Sequence, residues 1–596
     1  MGWRFDTIAV AYCLIIPFLL LVLSLWLKRF EKQIISLVTI VASVLFSVSF
    51  MVASADIPYF KYYDTRVNIS IFQWFDSGFT SLFVILQEPS YLLSLFLYLV
   101  FSVVFFIALI KIKNKVLINN SNQKKDQHST WKIGVMMLMM LTLFFHGFKA
   151  NFKSPLRVDD AMRTKYSYIN QLSLNPLFSL VKSYFLNKKT SFMEDELAIQ
   201  NTRRYLNIND TCYNSPIARF VRNDSVAKKP NVVIIFLESM STMNMQYFGN
   251  KDNLTPFLDG LVKESMFFEN IYSTGIHTHN AIFSTLWSYP SLSRVRQMCA
   301  NNINKFTGLP GFMKSYGYKN FFFATHDKEF DNIFDFLLKN DFDTIISREN
   351  YPDSLVVNAF GIPDHVMLQR GIKVMNESYS KGERFFMTFL TNSNHLPYTL
   401  PTKIPFVPKS KSMDNKMIEY SDWAISDFFS KAKNQPWFDN TLFVIFGDHG
   451  QIRYFNAYDV PLSYNHIPLF FYAPKIIKQP MIISKFGGQC DIFPTVMGLL
   501  GYSYINNTPG IDLIKEKRPY IFFTTDYKIG CIDDTYFYVF RENQGQSLYK
   551  YRSNDLTDYK DSLPAITDSM KMYALSILQA SQLNIKFNKT GPDSCR

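Results

Sequence analysis

Residues 440–450 read NTLFVIFGDHG, and this stretch decides the fold. From Leu442 to Phe446 every position is apolar, so the run reads as a strand covered on both faces, as in a parallel sheet packed between helices. Asp448 and His449 follow it at once. In an open parallel sheet the ligand crevice lies beyond the carboxyl ends of the strands. Three other runs have the same form. NVVIIFLES (231–239) ends at Glu238, NFFFATHD (320–327) at His326 and Asp327, and RFFMTFLTNSNH (384–395) at His395. HIPLFFYAP (466–474) begins with His466, which could reach the same edge from the other direction. Taken singly, a strand-end histidine is a loop residue and DHG a turn. Four endings of Glu, Asp or His type at one edge predict a site.

From residue 228 such runs alternate with amphipathic segments, which predicts an α/β domain with a mostly parallel central sheet over 228–590. NLTPFLDGLVKES (253–265) predicts a helix with Thr255 as N-cap and Pro256 at its first position. Residues 519–552 predict a small antiparallel sheet, and 565–585 a closing helix.

Residues 1–149 predict a transmembrane bundle. The chain has 596 residues, 48% hydrophobic and 16% aromatic, and the excess is concentrated in uncharged runs at 8–27, 34–53 and 91–110. Each is long enough to span a bilayer as a helix. A shorter run at 133–148 makes a fourth span, while 79–86 is too short and is expected at the interface. Lysine and arginine crowd the links after the first and third spans, which makes those links cytoplasmic. The 54–90 loop, with only Lys61 and Arg66 against four acids, is then outside, as is everything after residue 150. Residues 150–227 read as a helical, membrane-proximal connector. The net charge of +13 comes largely from membrane-proximal loops, so nucleic-acid binding is not expected. The six cysteines show no CxxC spacing, which argues against a thiolate zinc site. One or two disulfides are expected among the five placed outside, with the pairing open.

Glu238, Asp448 and His449 make an oxygen-rich set with one imidazole, suited to Mn2+, Mg2+ or Zn2+. STGIHTHNAIF (273–283) adds Thr278 between His277 and His279. With Thr278 as fourth ligand, its hydroxyl would become a usable nucleophile near neutral pH. If that stretch is extended, the two flanking histidines point to opposite sides and the helix begins near Asn280.

The order of these pieces resembles the alkaline phosphatase superfamily. More narrowly, NVVIIFLES, NLTPFLDGLVKES, TNSNHLPYTLP and VIFGDHGQ resemble the membrane-bound lipoteichoic acid synthase and phosphoglycerol transferase family, which is sulfatase-like. The resemblance implies an alkaline-phosphatase-like outer domain and one divalent ion, Mn2+ first, held by Glu238, Thr278, Asp448 and His449. It implies Thr278 as nucleophile and His326, His395 and His466 as substrate-binding residues; Asp327, at the same strand end as His326, is expected to bind substrate with them. It implies transfer of a phospholipid head group, from phosphatidylglycerol or phosphatidylethanolamine, to a glycan, polymer or lipid acceptor outside the cytoplasmic membrane. Two departures stand out. Such proteins usually have five spans where four are counted here, which predicts a further span ahead of Met1. They also carry Trp and Arg after the middle histidine, where this chain reads THDKEFDNIFDF. A sulfatase needs a C/S-x-P-x-R motif, and HTHNAIF has none. The complete set of site residues argues against a catalytically dead scaffold.

Overall fold

The structure is a computed structural model. It describes residues 2–595 except 64–65, 70, 73–86, 123–137, 139–148, 152–153, 156–160, 162–166, 187–190, 211, 293–296, 300–302, 328–332, 359, 397, 403, 452–456, 526–527 and 543–544. It divides into two compact units. One gathers Met1–Phe75, Ile85–Lys188 and Ala457–Asp459; the other gathers Asp76–Val84, Lys189–Asn456 and Val460–Arg596. The residues expected to form one connector, 150–227, are thus shared between the two units.

In the first unit the described residues include three helices long and apolar enough to cross a membrane. They are α1 (Gly2–Trp26), α2 (Glu31–Tyr63) and α3 (Pro89–Asn122). They correspond to the runs at 8–27, 34–53 and 91–110. The fourth expected span, 133–148, and the interfacial 79–86 lie outside the described residues, apart from Leu138. Leu19, Leu99, Val103 and Val104 are exposed on these helices, as lipid-facing positions would be. Phe46 of α2 packs on Phe105 of α3 with ring centroids 4.7 Å apart.

The second unit is built on eight strands. In chain order they are β1 (Asn231–Leu237), β2 (Met266–Tyr272), β3 (Tyr318–Ala324), β4 (Thr344–Ile346), β5 (Arg384–Leu390), β6 (Thr441–Gly447), β7 (His466–Tyr472) and β8 (Met481–Gly488). Across the sheet they lie in the order β8-β2-β7-β6-β1-β5-β3-β4, and only β7 runs antiparallel to its neighbours. All seven residues of β1 are buried, and so are all seven of β6. Alternate side chains serve opposite faces. Val232, Ile234 and Phe236 enter one core with α6 (Thr278–Trp287) and α9 (Ile492–Leu500). Val233, Ile235 and Leu237 enter the other with α5 (Pro256–Leu261), α7 (Asp364–Ser380) and α8 (Met413–Ala432). A side chain such as Ile234, 0% exposed, contributes about 2 kcal/mol by leaving water.

Helix α5 begins with Pro256 at its first position, as read from the sequence. The cap differs. Phe257 N and Leu258 N donate to the Asp422 carboxylate of α8, both at 2.9 Å, while the Thr255 hydroxyl donates to Asp259 and Asn244 O. A buried carboxylate from a packed helix can take both amide protons, where a threonine oxygen takes one, so tertiary packing overrides the local cap.

The expected antiparallel sheet is present as β9 (Ile521–Thr524), β10 (Lys528–Ile532), β11 (Tyr536–Arg541) and β12 (Gly545–Lys550). Helix α10 (Pro564–Lys586) covers one face of it and also packs on α4 (Asp195–Tyr205). Asn201 and Ser576 share a hydrogen bond there, and Tyr205 meets Tyr573 at 4.9 Å. Cys212 pairs with Cys595 in a disulfide, while Cys13, Cys490 and Cys531 are buried thiols.

Candidate active site

Register places the chemistry. Leu237 pairs with Gly447, Phe236 with Leu390, and Leu390 with Ala324. Strands β6, β1, β5 and β3 therefore end level with one another, and the residues that follow them emerge on one edge.

Three of these residues converge. Ligand atoms of Glu238, Asp448 and His449 all lie within 4.8 Å of one another, and all three residues are buried. His449 Nε2 is 3.5 Å from Asp448 Oδ2 and 3.9 Å from Glu238 Oε1. His449 Nδ1 meets Gly450 O at 2.9 Å, which assigns the ring proton to Nδ1 and leaves the Nε2 lone pair facing the carboxylates. Asp448 Oδ1 accepts from Ser239 N and His449 N, whereas Oδ2 is buried with no hydrogen-bond partner among the described residues. Two buried carboxylates, with an orphaned oxygen and an aimed imidazole, fit a divalent cation. Burial, and next the Asp448 charge, push the Glu238 carboxyl well above its usual range; hydrogen bonds from Ser239 and Thr278 act against this.

Thr278 joins the set. Its Oγ1 donates to Glu238 Oε2 at 3.3 Å. It is the first residue of α6, and His277, extended at φ −129°, is the N-cap. The helix thus begins two residues earlier than Asn280, where the sequence placed it. The consequence for the flanking histidines is a correction. The helical turn brings the His277 and His279 rings together, stacked 5.3 Å apart at 12°, instead of sending them to opposite sides. The helix also points the positive end of its dipole at the space beside Thr278, which favours an anionic group there.

His326 and His395 stand at the same edge. Each places Nδ1 against the carbonyl of the next residue, Asp327 O at 3.0 Å and Leu396 O at 2.6 Å, as His449 does. The turn carrying His395 is held by Asp364, whose Oδ1 accepts from Asn392 N and Ser393 N. Burial raises the Asp364 carboxyl to about 6. Asp327 is partly exposed and lies 3.6 Å from Arg348 Nε.

His466 also reaches this edge, but its ring does not face the cluster. Its Nε2 donates to Glu269 O at 2.7 Å, back along β2, and the ring stacks on Tyr272 at 4.9 Å. Burial holds its pKa down to about 4, so it is neutral at physiological pH. The ring is half-buried at the start of β7.

Other residues of the site carried no signal in the sequence. Ser239 adopts φ 54°, a left-handed conformation uncommon outside glycine. That turn lets its N–H serve Asp448 while its hydroxyl donates to Glu238 Oε1 at 2.7 Å. Thr391 Oγ1 accepts from Glu238 N at 2.9 Å. Gly450 is required by close approach, since a Cβ there would meet Ser463 O at 2.1 Å.

Residues 230–502, from the start of β1 to just beyond α9, match the sulfatase family. The chain carries a sulfatase-family domain of the alkaline phosphatase superfamily. Glu238, Thr278, Asp448 and His449 all fall within it. A lipoteichoic acid synthase-like protein of Bacillus subtilis is 24% identical over 375 residues, 57% of this chain and 60% of that protein. The lipoteichoic acid synthase of Staphylococcus aureus is 27% identical over 335 residues, 51% of each. The chain spans half to three-fifths of the length of these curated relatives. Among solved structures, an alkaline phosphatase superfamily protein from Vibrio parahaemolyticus superposes with a TM-score of 0.59 at 26% identity, covering 66% of this chain and 97% of that one. The lipoteichoic acid synthase LtaP from Listeria monocytogenes shares the fold of the sulfatase-family domain, with a TM-score of 0.52 at 22% identity over 61% of this chain and 94% of that one. Enzymes of this superfamily use a divalent metal, and the Glu238–Asp448–His449 cluster is where this chain could hold one.

Proposed function

We propose that this protein is a membrane-bound phosphoglycerol transferase that works through a phospho-threonine. The observation that carries the reading is the Thr278 hydroxyl held on Glu238, beside Asp448 and His449. A divalent ion bound by these residues, Mn2+ in our reading, would lower the hydroxyl pKa and offset charge on the phosphate oxygens. Thr278 Oγ attacks the phosphorus of phosphatidylglycerol; its proton is lost as the Oγ–P bond forms. The P–O bond to the lipid breaks, and the diacylglycerol oxygen takes up a proton. In the second step an acceptor hydroxyl on a glycan, polymer or lipid attacks the same phosphorus and frees Thr278. His326 and His395 orient the non-bridging oxygens, and the N-terminus of α6 adds its dipole.

The apolar helices support a multi-pass protein of the cytoplasmic membrane. The Cys212–Cys595 disulfide supports an oxidising space outside it for the catalytic domain. Phosphatidylethanolamine is the second reading, because Asp327 beside His326 offers a carboxylate to an ammonium. Arg348, 3.6 Å from Asp327, offsets that charge and keeps phosphoglycerol first. A sulfatase activity lacks its nucleophile motif.

The test is to supply fluorescent phosphatidylglycerol and phosphatidylethanolamine with and without Mn2+. Diacylglycerol release from the first lipid and a phosphoglycerol adduct on the 273–283 peptide are expected. No release from either lipid, together with turnover of an aryl sulfate, would overturn the reading.

A further inference from the structure

Gln489 lies in the 3-10 turn Gln489–Asp491 that follows β8, and its side chain is fully buried. Its amide faces two loops at once. Oε1 accepts from Thr274 N at 3.1 Å, four residues before Thr278. Nε2 donates to Asp448 O at 2.6 Å and to Gly447 O at 3.3 Å. The orientation of the amide follows from its partners: the Thr274 N–H can only donate, and the two carbonyls can only accept.

Both ends of this bridge are firm. Gly488 N and Ile511 N donate to the Asp491 carboxylate, which is also paired with the buried Arg518. That fixes the turn from which Gln489 projects. At the other end Thr274 O accepts from Thr524 N at 2.9 Å, and the Thr274 hydroxyl shares a hydrogen bond with Ser284 of α6. Movement at Thr274 is therefore transmitted to the helix that begins at Thr278.

We propose that Gln489 is a positioning residue that sets the distance between the Thr278 hydroxyl and the Asp448 ligand, so that one ion can reach both. The proposal rests on the reading of Thr278 as fourth ligand and nucleophile. Its effect passes through main-chain atoms, so Gln489 touches neither ion nor substrate. Displacement of a reacting group by about 1 Å can cost a hundredfold in rate, which is why a single amide between the two loops matters.

The test is a double-mutant cycle on Mn2+ affinity, measured by calorimetry on the metal-stripped full chain in detergent. The four proteins are wild type, Gln489→Met, Thr278→Ala and the double variant. Methionine keeps the length and bulk of the side chain and removes its hydrogen bonds to both loops. With Thr278 present, Gln489→Met is expected to weaken Mn2+ binding about tenfold; in the Thr278→Ala background the loss should shrink to about twofold or less, since coupled residues are non-additive. With phosphatidylglycerol vesicles, kcat should fall at least tenfold while KM stays within about twofold. Gln489→Glu, which keeps the acceptor for Thr274 but turns an oxygen toward two carbonyls, should move in the same direction; it serves as the test variant if Gln489→Met does not fold.

Equal losses in the two backgrounds, or unchanged Mn2+ affinity, would overturn the proposal. The affinity cycle needs no lipid. If the wild type releases no diacylglycerol, the phosphoglycerol reading fails while the cycle still decides the role of Gln489.

Discussion

Thr278 and Glu238 stand 40 residues apart in the chain and 3.3 Å apart in the fold, hydroxyl to carboxylate. Glu238 leaves the carboxyl end of β1 and Thr278 opens α6, so the contact exists only because β2 returns the chain to the same edge. Thr278→Ala should lower turnover by about a thousandfold or more, the scale of losing a covalent nucleophile. Its melting temperature should stay close to wild type, because a half-buried hydroxyl at the first position of α6 adds little stability. Retained diacylglycerol release by that variant would remove Thr278 from its role.

Metal should stabilise the folded chain. The orphaned Asp448 Oδ2 and the raised Glu238 carboxyl mark a site under strain from its own charges. Mn2+ at about a hundredfold above its Kd should add about 2.7 kcal/mol, seen as a higher melting temperature that a chelator reverses. Asp448→Asn should abolish most of that increment. Equal metal-induced increments in the two proteins would place the ion elsewhere.

Asp422 makes stability depend on pH. Burial raises its carboxyl from the ordinary 3.8 to about 7, against the pull of its two amide donors. Between about pH 4 and pH 7 the folded chain binds the proton that the unfolded chain has lost. The contribution is therefore full below pH 4 and is lost as pH rises through 7. Each tenfold difference in proton affinity between the folded and unfolded chain is worth about 1.4 kcal/mol, so the contribution amounts to a few kcal/mol over that window. Comparing denaturation midpoints at pH 4.5 and 7.5 should show a steeper decline for wild type than for Asp422→Asn. Parallel slopes would assign the dependence to other groups.

His466 should prove dispensable for chemistry. It is neutral, stacked on Tyr272 and bonded to Glu269 O. His466→Gln should lower the melting temperature by several degrees while KM for the lipid donor stays within about threefold. A tenfold rise in KM at unchanged stability would restore the substrate role read from the sequence.

The strands and the edge they share are legible in the chain alone. Apolar runs such as 442–446 can only be buried on both faces, and that obliges their polar successors Glu238, His326, His395 and Asp448 to appear where a parallel sheet ends. The three apolar helices are equally legible, since their length and lack of charge leave few alternatives. Which way each side chain turns is settled only in three dimensions. His466 and His449 are both histidines at that edge, yet one bonds back along β2 and the other aims Nε2 at two carboxylates. His277 and His279 stack because α6 starts at Thr278, one residue after an extended N-cap. Asp422 caps α5 in place of Thr255, and Cys212 finds Cys595 across 383 residues. The last two, like the His466 bond to Glu269 O, are contacts between distant segments, set by register and packing. Local propensity and hydrophobic periodicity, which a sequence carries openly, do not encode them.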